Sequence, residues 1–218
     1  MENVSGRKER PSLKSSVKLS IQIFVVVNIA IFLSILFVGG FSLHSVDHFF
    51  QKLSVRNTMP VVCLPLLILV LNGVLSDMAK ARLVFWKWEN PLPGCRAFSL
   101  SIFKDPRIDV ERLTAKIGRL PIEANEQNVT WYRLYMAHSN EQMVLESHRS
   151  YLLTRDMTAL AALLGVSFSV ASFLSHVDWK LAGLYSLLLV AQYATVAISA
   201  QNYGHRFVAN VLSVESHA

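Results

Sequence analysis

Charge, cysteine and catalytic motifs are scarce in this sequence, and each scarcity removes a class of explanation. Only 17% of the 218 residues are charged while 52% are apolar, so an integral membrane protein is the default class. Two cysteines, Cys63 in an apolar run and Cys95 in a polar segment, give no basis for a disulfide framework and imply no redox role. There is no phosphate-binding loop, Gly-x-Ser-x-Gly elbow, His-Glu-x-x-His or Cys-x-x-Cys, which removes the simplest routes to catalysis. No Asp, Glu, Lys, Arg or His falls in the middle of an apolar run, which argues against a proton relay or a carboxylate-coupled ion pump.

What the chain does have is apolar runs long enough to cross a bilayer. Two of them stand back to back between Met157 and Ala200, split only by the polar corner His176-Val177-Asp178-Trp179-Lys180. Each approaches the ~20 residues that a helix needs to span hydrocarbon, and helix is the spanning form that satisfies its own backbone hydrogen bonds. The pair reads as a transmembrane hairpin, residues 157–176 and 179–200. A first span is expected at 19–41, too long for a signal-peptide core, and a second at 59–81, with Pro65 kinking its interior.

Basic residues set the expected orientation. The first 18 residues carry Arg7, Lys8, Arg10, Lys14 and Lys18, and eleven more lysines and arginines fall between Arg82 and Asp156. The connection 42–58 holds only Lys52 and Arg56, and the hairpin corner only Lys180. That asymmetry predicts a cytoplasmic N-terminus, a cytoplasmic segment 82–156 and a cytoplasmic tail 201–218. Asp77, Lys80 and Arg82 mark the exit of the second span, and Phe85, Trp86 and Trp88 with Lys87 read as an interfacial belt.

The fold class expected is therefore an all-α integral membrane protein of bacterial inner-membrane type, with four transmembrane helices and a small helical cytoplasmic insert between the second and third. Within the insert, 89–98 reads as a turn-rich linker. Asp105 with Pro106 is expected to start a helix in which Val110, Leu113, Ile117 and Leu120 share a face, stopped by Gly118 and Pro121. A second helix runs through Trp131, Leu134, Tyr135 and His138, and Ser139 with Gln142 fits a capping box. From about Asn140 to His176 no breaker intervenes, which predicts one continuous rod joining insert to membrane. Gly204 reads as the stop of the last helix.

Candidate sites follow from residue chemistry. Asp105 and Arg107 form one polar group, with Asp109 and Arg112 beside it; His148, Arg149, Arg155 and Asp156 form another along the rod. His148 and Arg155, seven apart, share a helix face on which a headgroup or nucleotide phosphate could dock, with imidazole as acid or base. The competing reading is ion pairing between helices. Trp131 and Tyr132, like Asp105 and Arg107, are further candidates for ligand or partner binding, with helix-packing anchors as the alternative for the two aromatics. His44, Asp47 and His48, at i, i+3 and i+4, form a weak metal-ligating pattern. Asn28, Gln192 and the small residues Ala161, Gly165 and Ser169 are expected to serve helix packing. The expected activity is non-enzymatic: a sensor, effector or pore-type oligomer gated through the insert. The alternatives are a membrane-interface enzyme acting on a lipid or nucleotide phosphate, and a passive scaffold subunit. Expected partners are the lipid bilayer, further copies of the chain and a cytoplasmic protein, with no cofactor and no specific nucleic acid.

Overall fold

The computed structural model describes residues 13–38, 70, 72–175 and 177–218. Among them all regular structure is helical. Helix α1 is Leu13–Val38, α2 is Asp77–Phe85, α3 is Ile102–Lys104, α4 is Val110–Ile117, α5 is Ala124–Ala137, α6 is Gln142–Leu174 and α7 is Trp179–His217. A 3-10 turn, Pro93–Arg96, and a π-helical turn, Ala97–Ser101, join α2 to α3.

Three of these helices, α1, α6 and α7, are long and apolar enough to cross a membrane. They also turn large apolar side chains outward: Val26, Val166, Leu174, Leu187 and Val190 are each more than half exposed. In water such faces would be a liability, whereas against hydrocarbon they are the expected surface of a spanning helix. The protein is accordingly membrane-associated. Most of the expected second span, together with His44, Asp47 and His48, lies outside the described residues. Where that span was expected to end, the chain bends at Leu75 and starts a separate helix at Asp77, with the Ser76 hydroxyl accepting from the Ala79 N–H at 3.2 Å.

Two apolar clusters sit at opposite ends of the α6/α7 pair. In the first, Phe32 of α1 stacks on Phe168 of α6 with ring centroids 4.2 Å apart, and Tyr185 and Leu189 of α7 close the far side. The second cluster gathers Phe85, Phe98, Leu113, Trp131, Val144 and Phe207 from α2, the π turn, α4, α5, α6 and α7, and forms the core of a lobe. The two longest helices take part in both clusters, so they connect them without an intervening loop.

The continuous rod is present as α6. Several local expectations are corrected. Asp105 does not cap α4; Asp109 does, accepting from the Arg112 N–H at 3.0 Å, while Pro106 and Arg107 form a turn. No capping box forms at Ser139, whose hydroxyl instead donates to the Met136 carbonyl at 3.1 Å, leaving Glu141 as the N-cap of α6. Gly204 does not stop α7, which runs on to His217. Phe85 is not part of an exposed belt but buried in the lobe core, although Trp86 and Trp88 are exposed.

Candidate functional site

The last turns of α7 form the spine of the lobe. Phe207 is the hub of an aromatic group in which His148 stacks on it at 4.7 Å between centroids, while Trp131 and Tyr135 meet it edge-on at 5.1 and 5.2 Å. Tyr151 lies on the same ring at 6.2 Å. Phe207, Val208, Val211 and Leu212 repeat at helical spacing, which is how one face of α7 enters this core. Arrangements of offset and edge-on rings add about 0.5–1.5 kcal/mol per pair beyond the area they bury.

Polar latches tie the same helix to the loops of the lobe. Arg107 clasps Asp105 through Nε at 2.9 Å and Nη2 at 2.6 Å, and its Nη2 also donates to Asn210 Oδ1 at 2.9 Å. The hydrogen bonds from Arg107 hold the Asp105 carboxyl below its usual range. Ser216 Oγ accepts from the Asp109 N–H at 3.2 Å, and Glu215 meets His138 at 2.5 Å and the Lys116 ammonium at 3.7 Å. Asn210, Glu215 and Phe207 were not singled out from sequence. Their signal was the apolar spacing just after Gly204, masked by reading that glycine as a terminus.

At the junction between the two clusters lies an ion-paired group. Lys80 Nζ is 3.0 Å from Asp156 Oδ1, Arg155 Nη1 is 3.0 Å from Asp77 Oδ1, and Arg155 Nη2 is 3.1 Å from Asp156 Oδ1. Asp156 is the last charge on α6, so this network stands at the start of the helix's uninterrupted apolar stretch. A low-dielectric neighbourhood makes such pairing necessary, because an unpaired charge there would carry its full desolvation cost.

The predicted residues therefore divide between two environments. His148, on the lobe half of α6, faces the aromatic group, with its Nδ1 3.2 Å from the Tyr135 hydroxyl. Burial, and secondarily the Arg155 charge, push its pKa down, so it stands neutral in the lobe. Arg155 and Asp156 belong to the junction network. Arg149 is half-buried; Trp131 is 6% exposed within the core, whereas Tyr132 is 53% exposed. Asp105 and Arg107 are joined to each other and not to the His148 group.

The packing residues also find places. Asn28 is buried, but its amide donates to the Phe24 carbonyl of its own helix at 2.9 Å rather than across to a neighbour. Ala161 is buried, and a Cβ added at Gly165 would stand 4.0 Å from Leu189 Cβ, so this part of the small-residue seam faces α7. Ser169 and Gln192 are half-buried.

Chemically, this is a packed aromatic group with a half-buried imidazole at its edge, in which Trp131 Nε1 and the Tyr151 hydroxyl are buried without a hydrogen-bond partner. Arg155 already holds two carboxylates, and His148 is engaged by Tyr135 and covered by Phe207. Among the described residues no group of three or more His, Cys, Asp or Glu side chains is arranged to hold a metal. The chain matches no known protein family, and no curated protein or solved structure resembles it.

Proposed function

We propose that this chain is a four-span protein of a bacterial inner membrane with both termini cytoplasmic, working without catalysis as a homo-oligomeric effector whose lobe controls the permeability of its membrane bundle. The observation that carries the reading is the continuity of α6 and α7. Each passes unbroken from the lobe core into the apolar cluster, so a displacement of the lobe has no loop in which to be absorbed. A rigid element shared by two packed clusters is the means by which a small movement at one end is delivered to the other. The basic residues of the segment 82–156 support its cytoplasmic placement, and a lobe ligand or protein partner supplies the trigger.

The enzyme reading has less behind it. The His148 ring is taken up by stacking on Phe207 and by the Tyr135 hydroxyl, and the guanidinium expected to bind a phosphate beside it is occupied by Asp77 and Asp156.

The test combines topology, assembly and leak. A reporter fused near Glu123 should remain on the cytoplasmic side, the purified chain should form discrete oligomers in detergent, and overexpression should collapse the membrane potential. A monomer that leaves the potential intact would rule out the effector reading, and export of the Glu123 reporter would reverse the orientation.

A further inference from the structure

Helix α2 has two faces with different fates. Lys80, Ala81, Val84 and Phe85 are buried against α6 and α7, while Ala79, Arg82, Leu83 and Trp86 line a cleft of about 460 Å³ on the other side. The cleft sits at the junction level, because Ala79 adjoins Lys80, whose ammonium is fixed to Asp156.

The chain reversal after α2 builds the rim. Trp86 adopts a left-handed conformation, φ 53°, and its N–H donates to the Arg82 carbonyl at 2.9 Å. This turns Lys87 and Trp88 back over the cleft. Arg82 Nε donates to the Trp88 carbonyl at 3.1 Å, and its guanidinium carbon lies 5.6 Å from the centre of the Trp88 ring. Tyr193 of α7 closes the floor: its hydroxyl donates to the Leu83 carbonyl at 2.7 Å and accepts from Trp86 Nε1 at 3.0 Å.

Charge and polarity then specify the occupant. Lys80 and Arg155, on the buried side, are neutralised by carboxylates; Arg82 and Lys87 form no ion pair with a carboxylate among the described residues. Trp88 is 81% exposed and Trp86 54% exposed beside these cations. Indole rings next to unneutralised cations are the composition of a headgroup-level surface, and an anion with an apolar body satisfies both halves. We infer that the cleft binds one anionic glycerophospholipid, its phosphate against Arg82 and Lys87 and an acyl chain along Leu75, Ala79 and Leu83. The site rests on the membrane placement alone; whether the bundle conducts does not enter.

Full-length protein in vesicles of phosphatidylcholine with a minor share of phosphatidylglycerol, released for native mass spectrometry, tests the site. Phosphatidylglycerol should be retained at about tenfold over its share of the bilayer. R82Q/K87Q should lower retention to that share, while R112Q, at a remote lobe cation, should keep the enrichment. No enrichment in the native chain, undiminished enrichment in R82Q/K87Q, or equal loss in R112Q would overturn the site. Excess glycerol 3-phosphate should fail to displace the lipid; displacement would show that the acyl chain has no part and would also overturn the proposal. If R82Q/K87Q does not fold, bromine-labelled acyl chains decide on the native chain: tryptophan quenching should be stronger from phosphatidylglycerol than from phosphatidylcholine, and equal quenching would count against the site.

Discussion

The Lys80 ammonium stands 3.0 Å from a carboxylate oxygen of Asp156, with the lysine side chain 8% exposed and the aspartate 23% exposed. The pair is asymmetric in its support, because Asp156 also receives two hydrogen bonds from Arg155, whereas Asp156 is the carboxylate that Lys80 pairs with. D156A should therefore destabilise the fold by about 2–4 kcal/mol, since it strands a covered ammonium, and K80M by only about 1 kcal/mol. Thermal unfolding of the two variants in the same detergent checks the order; a larger loss from K80M would show that the network is not the one described.

Gly204 separates two meanings of glycine that predict opposite signs. If it merely loosened α7, alanine there would stabilise the helix by about 0.5–1 kcal/mol. A Cβ at this position would instead lie 2.8 Å from Phe85 Cζ and 3.2 Å from Tyr151 Cε2. G204A should accordingly cost about 1–3 kcal/mol, as overpacked sites do, and F85L in the same chain should recover more than half of it. Melting curves of the single and double variants measure both effects.

The same residue shows which parts of this molecule were legible beforehand. The long rod α6 was readable because nothing between Gln142 and Asp156 interrupts its helical spacing, and α4 because Val110, Leu113 and Ile117 share a face stopped at Gly118, φ 80°. Caps were less legible: Asp105 and Asp109 are both competent, and tertiary contacts decide, since Arg107 engages the first while the second is left to receive Arg112 N–H. Gly204 was misread because a local breaker signal and a close crossing look alike in sequence; only the nearness of Phe85 and Tyr151 distinguishes them. For the candidate site, ion pairing between helices is what the sequence suggests for Arg155, but its partner across helices, Asp77, is not legible there, being on a helix whose start reads as part of a span.

His148 should give the lobe a measurable acid sensitivity. Its folded pKa lies below the ordinary histidine value because burial, then Arg155, disfavours the imidazolium. The unfolded chain therefore binds the proton more readily between the two values. The stabilisation is complete above about pH 6.5 and is lost as pH falls from there through the lower, folded value. H148F, which keeps a ring against Phe207, should remove this part of the acid limb. Melting temperatures of native and H148F protein between about pH 7.5 and about pH 5 should diverge progressively on acidification; parallel curves would show that His148 titrates freely.

Gln127 ties the π-helical turn to α5 through hydrogen bonds. It is 2% exposed; its Oε1 accepts from the N–H groups of Phe98 and Ser99 at 3.0 and 3.1 Å, and its Nε2 donates to the Ile122 carbonyl at 2.8 Å. Q127A should cost about 2–3 kcal/mol, because it leaves the Phe98 donor buried without a partner. Q127E offers a sharper comparison. Its carboxylate can still accept from both N–H groups but cannot donate to Ile122, so it should destabilise the lobe while preserving slow amide exchange at Phe98 and Ser99. Loss of that protection in Q127A and its retention in Q127E, read by hydrogen exchange over 97–101, would assign the role to the acceptor. Equal loss in both would move it to the Ile122 contact, and with it the anchoring of the turn that leads from α2 into the lobe.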